Sequence, residues 1–148
     1  LPDAQILPGL NEHQGTEVMK YHAGKDAPKV DKKTALKTFF ALNRRWLKGE
    51  IDSGPYETWA DFQQRVRTTY KDIFAQLKGG ESVALFTSGG VIATGIGIAL
   101  GLSDEKILEL NWQIRNSSIS ILKHNKGRLF LRDFNWVPHL DQEQITYV

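Results

Sequence analysis

A long uncharged stretch, from Ser82 to Leu102, constrains the fold more than any other part of the sequence. It is long enough to cross a bilayer, but it contains several hydroxyl side chains and glycines, and acidic rather than basic residues flank it. We therefore reject a membrane span. The stretch instead predicts a buried strand over 82–87, a tight turn at 88–90 and a small-residue helix over 91–102 that packs closely on a sheet.

Two amphipathic helices are predicted before this stretch. Asp31 is placed to cap the first, which ends at Gly49, and the second runs from about 57 to 78 with Thr58 and Asp61 at capping spacing. Side chains three and four positions apart share one helical face. The predicted buried faces are Leu36, Phe39, Phe40, Asn43 and Leu47 in the first helix, and Trp59, Phe62, Val66, Tyr70, Ile73 and Leu77 in the second.

The strand predicted at 82–87 has too few partners within the chain. After a short helix at 104–110, the other clear strands are 118–123 and 128–134, joined as a hairpin by an Asn-Lys-Gly turn. A buried parallel strand needs neighbours on both sides. We therefore expect an α/β fold, three layers in α/β/α order around a mostly parallel central sheet, with one or more N-terminal strands upstream of Leu1.

Composition excludes several classes of protein. The chain has 148 residues, of which 41% are hydrophobic and 24% charged, as expected for one globular domain. Its net charge of +2 gives no strong attraction to nucleic acid or membranes, and without cysteine it has neither disulfides nor thiolate metal sites. The four histidines lack metal-ligand spacing. We expect a cytoplasmic protein with no metal and no cofactor, whose irregular first segment, 1–30, continues from an upstream segment.

The turn from the predicted strand into the following helix is the first candidate site. Ligands of open α/β sheets bind at the carboxyl ends of strands, where a helix N-terminus offers free N–H groups. Ser88 and Gly89 therefore form a candidate phosphate cradle, although backbone geometry alone also explains the glycines. A serine hydrolase would need a Gly-x-Ser-x-Gly elbow, and Phe86 occupies the place of its first glycine. That interpretation is the weakest.

The second candidate site is the loop that contains Glu12 and His13. A carboxylate beside an imidazole can transfer protons, but the same pair is equally consistent with solvated loop residues. A basic stretch over 20–48 could attract an anionic substrate or form a solvated helix face. It lacks aromatic residues at stacking spacing, so we do not expect it to bind nucleic acid.

Taken in order, five segments resemble the histidine phosphatase (phosphoglycerate-mutase-like) superfamily. The resemblance covers the chain from about Leu10 to Leu140. The matching segments are Leu10-Asn11-Glu12 with Gly15, Glu57-Thr58-Trp59-Ala60-Asp61-Phe62 with Arg65-Val66, Ala84 to Ile92, Arg115-Asn116-Ser117-Ser118-Ile119, and Phe134-Asn135 with His139-Leu140.

The resemblance implies hydrolysis of a small phosphorylated substrate through a phosphohistidine intermediate. Glu12 would be the catalytic proton donor, and Ser88, at a catalytic position, would bind phosphate together with Gly89. The chain would be the larger, C-terminal part of one domain, residues 1–148, with 16–55 as a lid-like insertion. The sequence does not separate phosphatase from mutase or name the substrate, and it leaves the oligomeric state open, with a homodimer as one option.

Two departures from the family pattern bear on activity. The Arg-His-Gly that carries the nucleophilic histidine occurs nowhere in the sequence, so we expect it upstream of Leu1. The second active-site histidine falls on Ser88, whose hydroxyl brings no positive charge. Losing one charge-assisted hydrogen bond costs about 1.5–3 kcal/mol, or roughly 10- to 150-fold in rate. The enzyme is therefore expected to be weakened or inactive, and the alternative is a non-catalytic domain that kept the fold to bind a phosphate ligand or a protein.

Overall fold

The computed structural model describes residues 4–23 and 31–147, and it divides the chain into two compact units. The first unit combines the described residues up to Glu12 with those from Arg65 onward, and the second runs from His13 to Gln64. Among the described residues, no helix is long and apolar enough to cross a membrane. The elements are α1 (Gly15–Ala23), α2 (Lys32–Leu47), α3 (Trp59–Gln76), α4 (Gly89–Leu100), α5 (Asp104–Asn111), β1 (Ile119–Asn125) and β2 (Arg128–Trp136), with single 3-10 turns at Pro8–Leu10 and Gln142–Gln144.

The predicted hairpin is confirmed. Strands β1 and β2 pair antiparallel, with Asn125 opposite Arg128 at the closed end. The two turn residues, Lys126 and Gly127, have φ of 47° and 77°. Two positive φ angles in a two-residue loop define the turn whose twist matches that of paired strands. Together with the helices, this sheet makes the fold α/β.

The segment before α4 differs from its prediction. Residues 82–87 belong to no strand, and the sheet in the described part of the chain consists of β1 and β2 alone. The side chains of Val83 and Phe86 are 45% and 96% exposed, so the expected burial is not met. A strand is buried only when neighbours cover it on both sides, and the described residues supply none here. The three-layer, mostly parallel sheet stays a prediction.

Helix α4 forms the centre of the first unit. Its buried side chains pack on α5, where Ile107 is fully buried. Gly97 makes this approach possible, because a Cβ at that position would lie 2.4 Å from the Cγ1 and Cδ1 atoms of Ile107. Tyr70 of α3 donates a hydrogen bond from its hydroxyl to the Val91 carbonyl at 3.3 Å. Burial raises the pKa of Tyr70 to about 12.

The cap of α2 in the second unit is confirmed. Oδ1 of Asp31 accepts hydrogen bonds from the backbone N–H groups of Lys33 at 3.0 Å and Thr34 at 3.1 Å. The Thr34 hydroxyl donates to Oδ2 at 2.6 Å. The hydrogen bonds from the Thr34 hydroxyl and N–H lower the pKa of Asp31, because they favour its charged form.

The predicted face of α2 is confirmed in part. Asn43 is buried, but Leu36 is 52% exposed, and Trp46, which the apolar spacing did not include, is buried. Trp46 packs edge-on against Trp59, with ring centroids 5.4 Å apart, and donates from its indole N–H to Ser53 Oγ at 3.2 Å. The aromatic cluster therefore fixes the rotation of the helix, which apolar spacing alone did not reveal.

Two further predictions have different outcomes. Helix α1 lies within residues 1–30, which were expected to be irregular. The spacing did not predict it because its buried side chains, Val18 and Met19, form one short apolar patch rather than a repeating stripe. The predicted stripe of α3 is confirmed for Trp59, Phe62, Val66 and Tyr70, which are all buried. The lid-like role of residues 16–55 stays a prediction.

Candidate active site

The N-terminus of α4 lies where the sequence placed the phosphate cradle. Ser88 is the N-cap residue, with φ of −98° and ψ of 173°, and its side chain makes no capping hydrogen bond. Gly89 and Gly90 form the start of the first helical turn and are both buried. The N–H groups of a first helical turn have no acceptor within the helix, and together with the positive end of the helix dipole they favour negative charge at this point.

Glu12 supplies one such negative charge. Its Oε2 accepts a hydrogen bond from the N–H of Gly90 at 2.9 Å. The hydroxyl of Thr87 donates to the carbonyl of Leu10 at 2.7 Å, so the Glu12 loop is attached on both sides of Ser88. The two candidate sites of the sequence, the Glu12 loop and the turn at Ser88 and Gly89, are therefore one site.

Arg65 of α3 also holds the loop that precedes Glu12. Its Nη1 donates to the carbonyls of Gly9 and Asn11, each at 3.0 Å. Hydrogen bonds from a charged donor are worth about 1.5–3 kcal/mol. Gly9 also lies against Thr69, since a Cβ there would be 1.9 Å from the Thr69 hydroxyl oxygen. The sequence singled out Arg65 only within a resembling motif, and neither its role nor that of Thr87 has a local signal.

His13 packs in the aromatic cluster of the second unit. Its Nδ1 accepts the N–H of Gly15 at 3.1 Å, and its ring packs against Trp46 and Phe62 with centroids 5.4 and 5.2 Å apart. The proton transfer considered for Glu12 and His13 stays a prediction.

The N-terminus of α4 opens into a cleft of the first unit. The cleft is lined by the extended segment 82–88, by Glu12 and by residues 114–126. Three polar atoms of its lining residues are buried without a hydrogen-bond partner among the described residues: Ser88 Oγ, Arg115 Nε and Ser118 Oγ. Buried polar groups are nearly always paired. Three donors in this state line one cleft, and Ser88 is at the helix N-terminus; such donors suit the oxygens of an anion such as phosphate.

Two other kinds of chemistry receive no support from the described side chains. Among the described residues, Ser88 Oγ has no hydrogen-bond partner that could act as its base, whereas a serine nucleophile is activated by an adjacent base. No group of three or more His, Asp or Glu side chains in the described ranges is placed to hold a metal ion.

Comparison with known proteins agrees with the geometry. A family model described as histidine phosphatase superfamily (branch 1) matches residues 5–137, which include Glu12, the turn at Ser88 and the hairpin. A search of curated proteins and a search of solved structures gave no match to the chain. Because the family match spans most of the sequence, the chain belongs to the histidine phosphatase superfamily.

Proposed function

We propose that this chain provides the phosphate cradle and the leaving-group acid of a phosphoric-monoester hydrolase of the histidine phosphatase type. The observation that carries the proposal is the 2.9 Å hydrogen bond from the N–H of Gly90 to Glu12 Oε2. It places the candidate proton donor at the same helix N-terminus as the candidate phosphate ligands. Membership of the superfamily supports phosphatase-like chemistry in general.

The phosphoryl group would bind at the start of α4. The N–H of Gly89 has no hydrogen-bond partner among the described residues, and the Ser88 hydroxyl is also unpaired there. Both donors suit phosphate oxygens, and the helix dipole adds about 0.3–1 kcal/mol for a negative charge at this end. A phosphoryl group bound there would lie beside the Glu12 carboxyl group, which is hydrogen-bonded to the Gly90 N–H and would be within reach of the leaving-group oxygen.

The reaction would proceed in two steps. A histidine nitrogen attacks phosphorus, the ester P–O bond breaks, and the departing oxygen takes the proton of Glu12. Water then attacks the phosphohistidine while the Glu12 carboxylate takes a proton from that water, which releases phosphate and restores the acid. No Arg-His-Gly occurs among the 148 residues. The proposal therefore assigns the nucleophilic histidine to a segment outside them.

A comparison of leaving groups tests the role of Glu12. A nitrophenolate departs readily without a proton, whereas an alkoxide does not, so the Glu12→Gln variant should turn over an alkyl phosphate about 100- to 10,000-fold more slowly and a nitrophenyl phosphate with a much smaller loss. Turnover is measured in the protein that includes the histidine nucleophile. Glu57→Gln is the matched control, since Glu57 is an acidic residue of the second unit. Equal losses on both esters, or none, would show that Glu12 is not the acid.

The same proposal extends to the fold. We propose a mostly parallel, three-layer sheet that is completed by an added strand. Two features support it: the exposed side chains of Val83 and Phe86, and the cleft lined by residues 82–88 and by hairpin residues. Added strands bring main-chain hydrogen bonds. Amide hydrogen exchange at 82–87 should slow strongly when the histidine-bearing segment is present, and unchanged exchange would argue against such a sheet.

A non-catalytic phosphate-binding domain is the second candidate. The observation that favours it is the Ser88 hydroxyl, which carries no charge and has no partner among the described residues. The Ser88→His variant separates the two functions. A gain in turnover of about 10- to 150-fold, the worth of one charge-assisted hydrogen bond, would indicate a weakened enzyme. No gain, combined with tight phosphate binding, would indicate a binding domain.

A further inference from the structure

The guanidinium of Arg115 lines the cleft of the first unit. Among the described residues, its Nε is buried without a hydrogen-bond partner, and its side chain makes no ion pair there. Arg132 lines the same cleft, but its Nε lies 3.1 Å from Asp133 Oδ2 and its side chain is 58% exposed. Arg115 as a whole is half-buried, and a polar atom that is buried without a partner is costly, so an anion that accepts from Nε would be favoured.

The backbone of Arg115 is fixed by hydrogen bonds. Its N–H donates to Asn135 Oδ1 at 2.8 Å, and Asn135 Nδ2 donates to the Gln113 carbonyl at 2.7 Å. On the next residue, Asn116 Nδ2 donates to Thr146 Oγ1 at 2.9 Å. Because these bonds fix the segment before β1, the arginine starts from a defined position and loses less freedom on binding a ligand.

A second unpaired donor lies on the same turn. The N–H of Ser118 donates to the Arg115 carbonyl at 3.1 Å, and the Ser118 hydroxyl is buried with no partner in the part of the chain that the structure describes. Between them, Ser117 has φ of 59°. A non-glycine residue in the left-handed region costs about 1–3 kcal/mol and is found most often at functional sites. The turn thus presents a charged and a neutral donor to the cleft that also contains Ser88.

We propose that Arg115 and Ser118 bind oxygens of the substrate's phosphoryl group, and that Arg115 provides the positive charge that Ser88 lacks. The identity of the anion as a phosphoryl group rests on the proposed function. A guanidinium binds phosphate oxygens through paired N–H groups, which gives both strength and orientation. The site would then have two parts that both line the cleft: the N-terminus of α4 and the turn that contains Arg115 and Ser118.

Inorganic phosphate is the probe that tests this assignment. The affinity of the chain for phosphate is measured by calorimetry at constant ionic strength, with circular dichroism and thermal melting to show that each variant folds. Arg115→Gln should weaken phosphate binding about 10- to 150-fold, the worth of a charged hydrogen bond. Ser118→Ala should weaken it about 2- to 10-fold, the worth of a neutral one.

Arg132→Gln is the matched control, because it removes an arginine from the same cleft that already has a carboxylate partner. It should change the affinity less than about twofold. Guanidinium ion added to Arg115→Ala should restore part of the lost affinity, which a purely structural role would not produce. Absence of rescue, equal effects of the Arg115 and Arg132 variants, or no phosphate binding by the unchanged chain would overturn the assignment.

The outcomes separate this assignment from the proposed function. If Arg115→Gln leaves phosphate binding unchanged while Ser88→Ala weakens it, the cradle stands and the role of Arg115 is wrong. If Arg115→Gln abolishes phosphate binding while Glu12→Gln affects both classes of ester equally, the anion site stands and the acid assignment is wrong.

Discussion

The contact between α4 and α5 predicts a specific cost for one added methyl group. In Gly97→Ala, the new Cβ would lie 2.4 Å from Cγ1 and Cδ1 of Ile107, whereas carbon atoms pack at about 3.5–4.0 Å. Ile107 is fully buried, so the two helices must separate by roughly 1 Å. Overpacking of this kind costs about 1–3 kcal/mol. Replacing a helical glycine by alanine gains about 0.5–1 kcal/mol, which leaves a net loss of up to about 2.5 kcal/mol.

A double-mutant cycle isolates this contact. Ile107→Val removes Cδ1 and alone should cost about 0.5–1.5 kcal/mol, but in the Gly97→Ala background it also removes one of the two clashing carbon atoms and so relieves part of the clash. The combined loss should therefore be smaller than the sum by about 0.5 kcal/mol or more. Urea unfolding measures all four proteins. Gly79→Ala is the control, because a Cβ at Gly79 meets nothing within 4 Å. If Gly97→Ala increases stability, as alanine does in an unhindered helix, the described packing of α4 on α5 is wrong.

Three further predictions concern titration and the loop of Glu12. Because burial raises the pKa of Tyr70 to about 12 from 10.0, the folded state keeps a proton that the unfolded state loses. Stability should therefore fall by about 2 kcal/mol between pH 10 and 12, and Tyr70→Phe should remove that part of the alkaline loss in urea unfolding. Arg65→Gln should cost about 1.5–3 kcal/mol and speed amide exchange around Asn11, and unchanged exchange would show that Arg65 does not hold the loop. The hydrogen bonds of the cap lower the pKa of Asp31. Their contribution to stability is therefore present above the ordinary carboxyl pKa and is lost as the pH falls through the pKa of the folded state. Amide exchange at Thr34 should accelerate over that fall in pH, and in Asp31→Ala it should be fast at every pH.

The parts of the fold that follow local rules were predictable from the sequence. Lys126 and Gly127 form their turn because the two-residue loop requires positive φ. Asp31 caps α2 because a carboxylate at that position reaches the free N–H groups of the first turn. In both cases the decisive atoms lie within a few residues of each other, so no distant contact had to be known.

The remaining parts depend on distant contacts. Trp46 is buried against a partner on another helix, Trp59, and the apolar spacing of α2 did not include it; the same spacing did include Leu36, which is exposed. Whether 82–87 forms a strand likewise depends on neighbours that are far away in sequence, and in the described residues none pairs with it. Spacing shows what a segment can bury but not which segment covers it.

The candidate site shows the same division. Glu12, Ser88 and Gly89 were identified from their residue types and from the resemblance. The hydrogen bond between Glu12 and Gly90, which unites the two candidates, spans 78 positions and was not predicted. Arg65 was missed as a support of the loop because its partners are backbone carbonyls 54 to 57 residues away, which no side-chain pattern reveals.

We propose that phosphate binds at the N-terminus of α4 beside Glu12, and a titration of the backbone amides with inorganic phosphate measures this binding. We expect saturable chemical-shift changes that are largest at Gly89 and Gly90, with the response weakened in Arg115→Gln and retained in Arg132→Gln. Saturable changes centred on other residues, or none at all, would show that phosphate does not bind there.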